Sequence, residues 1–264
     1  MQQLILSIDC GTQSLRAVLF SLQGEIVDKE QIFYTPYVSP KPGWAEQDAE
    51  IYWESLCKAT QALKHRSETN FENIIGVGVT TLRNTMVNLD KSGNPLRPSI
   101  SWLDQRKAKS FYKLGFPLNV LLKIIGIEKS IEKMQMEGKC NWVMQNEPEI
   151  WDKTYKYVQV SGFLNARLTG EFADSVASQI GHIPFNYKKQ QWAEPGDSFE
   201  FGHKLFPVEK DKLPGLVLPG REIGRIAHSA SDATGLKAGI PVISTGSDKG
   251  CETLGMGVNN SKVA

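Results

Sequence analysis

Apolar runs of strand length alternate with short polar breaks along the first third of the chain. Residues 3–9 and 15–21 are two such runs, and "LQGE" at 22–25 supplies a turn before "IVDKEQIFY". Three runs joined by short turns predict an antiparallel meander. Pro40, Pro42 and Gly43 mark "YVSPKPGWAEQD" as a loop, and Asp48 is placed to cap the helix that follows. Trp53, Leu56, Ala59 and Leu63 fall near one face of that helix. "NIIGVGVTT", 73–81, is short, apolar and β-branched. It predicts a strand reached through a helical crossover and paired in parallel.

Further along, "VNLDKSGNPLRPSISW" predicts a strand, a turn at Ser92-Gly93-Asn94 and a second strand up to Trp102. From about 105 to 170 the pattern is mostly helical, with stops at Pro148 and Gly170. Residues 183–222 are irregular and rich in Pro, Lys and aromatics. "SASDATGLKAGIPVISTGSDKGCETLGMGV" predicts helix, turn, strand, glycine turn, helix. No repeat and no linker divides the 264 residues. The pattern is that of one α/β domain over 1–264 with a mixed sheet.

Charge narrows the partners. Lys and Arg number 30 against 29 Asp and Glu, a balance that argues against nucleic acid or a membrane surface. No apolar run is long enough to span a bilayer and no signal peptide opens the chain. Cys10, Cys57, Cys140 and Cys251 are scattered without a CxxC, so a reduced, cytoplasmic setting is expected.

Two stretches carry candidate chemistry. In "SIDCGTQSLRAVLF" the turn between two strands holds Gly11, Thr12, Gln13 and Ser14, with Arg16 beyond. A glycine turn with hydroxyls and a guanidinium suits a phosphate cradle. Asp9 at the strand end would then hold Mg²⁺ through water. The alternative is a hairpin with polar turn residues and a surface arginine. In "STGSDKGCETLG", Asp248 sits at a strand end and opens a helix. That placement suits a general base, and it equally suits a helix cap.

Six segments occur together and in order: "DCGTQSLRAVLF", "PGWAEQDAEIYWESL", "VGVTTLRNTMVNLDKSGNPLRPSISWLDQR", "NEPEIW", "FLNARLTGEFADSVASQ" and "GIPVISTGSDKGCETLG". Together they resemble, nearly end to end, the N-terminal domain of the FGGY carbohydrate kinases, which include kinases of glycerol, xylulose, ribulose and gluconate. The resemblance implies a ribonuclease H-like fold, as in actin and hexokinase, with a mixed five-stranded sheet flanked by helices. It implies phosphorylation of a sugar, polyol or sugar acid with ATP and Mg²⁺, and Asp248 as the base. It also implies a second, C-terminal domain beyond this chain that carries much of the nucleotide site, so that these residues alone are inactive or nearly so. Arg83 and Trp102 match residues that hold the polyol in glycerol-type members. Asn84 stands where those members have Glu, and Lys249 where Gln is frequent. Neither the glycerol-type pattern nor the Met-His pair of xylulose-type members is therefore complete. Lys249 facing an anionic group would admit a sugar acid, whereas pointing to solvent is the commoner fate of a lysine. Trp102 stacks on a polyol or lies in the core. Asp104 and Arg106 of "WLDQR" are expected to order that loop, and residues 107–140 supply no named sugar contact. The expected partners are a small sugar or polyol and the C-terminal domain, with a homodimer left open. The competing readings are a non-catalytic sugar-binding or actin-like scaffold and a nucleotide-driven polymerising protein. The sugar-side residues Arg83 and Trp102 weigh against the last of these.

Overall fold

The computed structural model describes residues 2–110, 123–124, 126, 128–194 and 201–257. In chain order it runs β1 (Leu4–Cys10), β2 (Ser14–Ser21), β3 (Ile26–Phe33), β4 (Glu46–Gln47), α1 (Glu50–Arg66), α2 (Glu68–Glu72), β5 (Ile74–Thr81), β6 (Met86–Leu89) and β7 (Ser99–Ile100). It continues with α3 (Glu128–Glu137), α4 (Lys139–Asn146), α5 (Pro148–Lys153), β8 (Lys156–Gln159), α6 (Val160–Thr169), β9 (Ala173–Ser175), β10 (Phe185–Asn186) and β11 (Gln191–Trp192). It closes with α7 (Phe201–Leu205), β12 (Gly215–Val217), β13 (Glu222–Arg225), α8 (His228–Thr234), β14 (Pro241–Ile243) and α9 (Asp248–Gly255). Part of the helical stretch expected over 105–170 lies outside the described residues. None of the described helices is long and apolar enough to cross a membrane.

The main sheet has the order β13-β14-β5-β1-β2-β3. β1, β2 and β3 form the antiparallel meander, and β5 joins β1 in parallel after the α1 crossover. β14 extends the parallel run. These five strands are the expected frame. A sixth, β13, adds antiparallel to β14 at the far edge. It starts at the last residue of the stretch read as irregular and was not expected, because four residues with a glycine and exposed ends carry no strand-length pattern. A second sheet, β4-β7-β6-β8, is wholly antiparallel and places the strand before Trp102 away from the main sheet.

Two cores follow from this division. The first joins Leu4, Leu6 and Ile8 of β1 and Val77 and Val79 of β5 to Tyr52, Leu56 and Leu63 of α1 and Phe163 and Leu164 of α6. Each such side chain contributes about 1.5–3 kcal/mol on burial. The buried stripe of α1 begins at Tyr52, with Trp53 only partly covered. The cap of α1 also differs from expectation. Ala49 holds the cap position, and Asp48, one residue earlier, accepts the amide of Glu50 at 3.0 Å. Gly170 ends α6 in the left-handed conformation at φ 80°, as its place after "NARLT" predicts. The second core gathers Met86, Ile100, Trp142, Val143, Trp151, Tyr157 and Phe206. The carboxyl ends of the parallel strands β1, β5 and β14 lie at one edge of the main sheet. In open α/β sheets this edge is where ligands bind.

Candidate active site

Asp248 is delivered by the short passage from β14 into α9. Thr80 Oγ1 donates to the Gly246 carbonyl at 2.9 Å, and the Thr245 hydroxyl donates to the Val79 carbonyl. These bonds clamp the passage to the end of β5. Ser247, not Asp248, caps α9: its Oγ accepts the amide of Gly250 at 3.4 Å. The Asp248 carboxylate is therefore spared the capping role. It accepts from the Lys249 amide at 2.7 Å and from Arg83 Nε at 3.0 Å.

Arg83 and Asn84 come directly off β5. Asn84 adopts φ 56°, a left-handed conformation that asparagine tolerates better than most residues. It abuts Gly181, itself at φ 129°, where an added Cβ would lie 2.7 Å from Asn84 Oδ1. Trp102 is not a core residue. It is 48% exposed, and its indole Nε1 donates to Thr12 Oγ1 at 3.0 Å. Arg83, Asn84, Trp102, His182, Asp248 and Thr12 line one cleft of about 700 Å³. A second recess of about 500 Å³ opens from it, and the two share Asn84, Trp102 and His182 as a waist. Lys249 sits at the rim and pairs with Glu252 at 2.7 Å, a hydrogen bond that raises its pKa.

The β1–β2 turn is more self-contained than the sequence reading assumed. The Gly11 amide donates to the Ser14 carbonyl at 2.9 Å, and the Gly11 carbonyl accepts from the Tyr34 hydroxyl at 2.6 Å. Ser14 is buried, and its Oγ accepts Gln31 Nε2 at 2.9 Å. The Gln13 carbonyl takes the Tyr34 amide at 3.0 Å, while its side chain is exposed. Thr12 alone of this turn lines the cleft. Arg16 pairs with Asp9 at 3.0 Å, both partly open to solvent. Among the described residues no group of three or more His, Cys, Asp or Glu side chains is placed to hold a metal, so Asp9 stands as a single carboxylate.

Three cleft residues, Ile180, Gly181 and His182, escaped the sequence reading, as did Glu137 and Lys139 in the recess. None belongs to a spaced motif, and tertiary folding alone gathers them. Burial pushes the pKa of His182 down and that of Lys139 down to about 8. Behind the 176–183 loop lies Asp174, fully buried, which accepts from Ser161 at 2.6 Å, Gln179 at 2.7 Å, the Ser175 amide at 2.8 Å and Asn165 at 3.2 Å. Burial pushes its carboxyl up to about 6 against these donors. The Ser175 hydroxyl in turn donates to the Thr245 carbonyl, tying this network to the passage that carries Asp248.

A cleft at the carboxyl ends of parallel strands, with an aspartate, an arginine and an exposed tryptophan, is the candidate site on a ribonuclease H-like frame. Residues 4–255 match the model of the FGGY family of carbohydrate kinases, N-terminal domain, and the chain belongs to that family. An uncharacterized sugar kinase of Escherichia coli (strain K12) is 30% identical over 98% of this chain and 45% of its own length. A xylulose kinase of Staphylococcus xylosus is 24% identical over 98% of this chain and 52% of its own. Among solved structures, xylulose kinase from Rhodospirillum rubrum superposes with a TM-score of 0.79 at 23% identity, covering 98% of this chain and 52% of that one. Plasmodium falciparum glycerol kinase with ADP superposes with a TM-score of 0.76 at 21% identity, covering 97% and 51%. The chain thus spans about half the length of the relatives it matches.

Proposed function

We propose that the active enzyme transfers the terminal phosphoryl group of ATP to a hydroxyl of a sugar or polyol held in this cleft. The observation that carries the reading is Asp248, a carboxylate at a helix start that is not used as the cap and that opens on a cleft shared with Arg83 and Trp102. Its role is to take the proton of the attacking hydroxyl. Arg83 fixes the carboxylate from one side and offers its remaining N–H groups to substrate oxygens. Trp102 presents an exposed ring for the apolar face of the substrate, held in place by Thr12. Asn84 supplies a neutral amide where an acid would add charge.

On the phosphate side, the Thr12 hydroxyl accepts the indole proton and keeps its own hydrogen to donate. Arg16 adds positive charge beside Asp9. The Gly11 amide is already bonded within the turn, so side chains rather than that amide serve the phosphates. A lone carboxylate such as Asp9 fits Mg²⁺, which prefers one or two carboxylates together with waters and phosphate oxygens. When bound, the ion neutralises charge on the phosphates. A cytoplasmic setting belongs to the same reading. The relatives' greater length supports a second domain that completes the nucleotide site, so these 264 residues alone are expected to turn over little. The test is ATP consumption by the protein at its full length over polyols, ketoses and sugar acids. Substrate-dependent ADP release is expected, and no release with any of them contradicts the reading.

A further inference from the structure

Lys139 is a largely buried cation with no role in the cleft chemistry described above. It opens α4 directly after Gly138, where a Cβ would lie 2.9 Å from both Asn141 and Phe206, so the chain passes tightly and turns the lysine inward. The residue is only 6% exposed, yet it lines the recess beside the cleft. Among the described residues, no hydrogen bond or ion pair engages its ammonium. Its three N–H donors therefore have no protein acceptor and are left for whatever fills the recess.

The charges around the recess say what kind of acceptor fits. Asp104 is matched by Arg106 at 2.7 Å. Glu137 lies 3.9 Å from both Lys133 and His182, and the fields of Asp104 and Glu137 both favour the Lys139 ammonium. Burial holds His182 toward its neutral form, and Lys107 is exposed. The carboxylates Asp104 and Glu137 thus stand in the recess against Arg106 and Lys139, with Lys107 at its exposed edge, whereas the hydrogen-bonding capacity of Lys139 is not filled. An anion would meet the two carboxylates, and a neutral oxygen-rich group would fill the capacity without doing so.

The waist of Asn84, Trp102 and His182 makes the recess continuous with the cleft that holds Asp248. We propose that Lys139 is a specificity-determining residue of the substrate site: it donates hydrogen bonds to the hydroxyl or carbonyl oxygens at the end of a neutral polyol or sugar remote from Asp248, and so selects a carbon chain longer than glycerol. The inference rests on the sugar-kinase reading of the cleft. It turns away from the sugar acid that Lys249 left open, since Lys249 is satisfied by Glu252 at the rim.

The test is calorimetric titration of this chain, and of its Lys139→Met and Lys139→Arg variants, with xylitol, glycerol and gluconate. Methionine keeps the length and apolar stem and removes every donor. Bonds to a charged donor are worth enough that Lys139→Met should bind xylitol about 10- to 100-fold more weakly. Glycerol, seated at the Asp248 end, should bind it unchanged, and Lys139→Arg should recover part of the loss. Equal losses for xylitol and glycerol would show a structural role and overturn the proposal. So would unchanged xylitol affinity, or gluconate binding more tightly than xylitol in the unsubstituted chain. Binding of none of these compounds overturns this inference, whereas the sugar-kinase reading stands or falls on ADP release by the full-length protein. A second measurement does not depend on a variant's folding. Saturating xylitol should protect Lys139 of the unsubstituted chain several-fold from acetylation by acetic anhydride, read by peptide mass spectrometry. Unchanged labelling overturns the proposal.

Discussion

Asp248 and Lys139 illustrate opposite relations between sequence and site. Asp248 was legible because it stands in a glycine-flanked motif at a strand end, and its two readings separate only when Ser247 is seen to take the cap. Lys139 lies in a stretch with no recognisable spacing, and its burial results from the tight passage at Gly138 against Phe206. Its depressed pKa, about 8, gives a stability prediction with a definite sign. Below about 8 the folded state carries a desolvated ammonium at a cost. That cost is relieved as the pH rises from about 8 toward the ordinary lysine value near 10.4. Lys139→Met removes it at every pH. Urea unfolding should therefore find Lys139→Met at least as stable as the parent at pH 7, with its relative advantage shrinking toward pH 10. A difference that does not change with pH would contradict the assigned burial.

At the scale of elements, the meander, the crossover helix and the final helix–strand–helix were readable because each apolar run was long enough to show a period. The second sheet was not. β4 and β7 are two residues each, and β8 merges without a break into α6 in the apolar run "YVQVSGFL". Pairings this short are fixed by the neighbouring strand and by buried side chains, not by local pattern. The 176–183 loop is a similar case: Asp174 and Gln179 hold it by a buried network, and Gly181 lets it press against Asn84. Gly181→Ala should strain a backbone at φ 129° and drive a methyl group into the Asn84 amide. The expected loss is about 1–3 kcal/mol of stability, with weaker polyol binding because Asn84 is displaced. Thermal unfolding and calorimetry on the one variant check both, and unaltered polyol affinity would remove Asn84 from the substrate site.

For the whole molecule, a buried charge cluster packs against the second core. The Arg106 guanidinium lies between Trp44 at 3.8 Å and Trp142 at 4.6 Å and pairs with Asp104 at 2.7 Å and Glu46 at 2.9 Å. Arg97 bridges Glu46 and Glu147, each at 2.6 Å. "WLDQR" was read as a loop-ordering segment, and this geometry gives the physical basis: the pair seats the chain just past Trp102 on the second core. Arg106→Ala leaves Asp104 and Glu46 buried with a partner missing, so a loss of about 3–5 kcal/mol is expected in denaturant unfolding. A loss below about 1 kcal/mol would mean the cluster does not hold this segment on the second core. The central claim concerns chemistry, and Asp248→Asn in the active enzyme tests it most directly. Asparagine keeps the size of the side chain, and Ser247 still caps α9. The account predicts a folded protein that binds its sugar within a few-fold of the parent while kcat falls by about 10²–10⁴. A folded variant that retains near-normal kcat would contradict it.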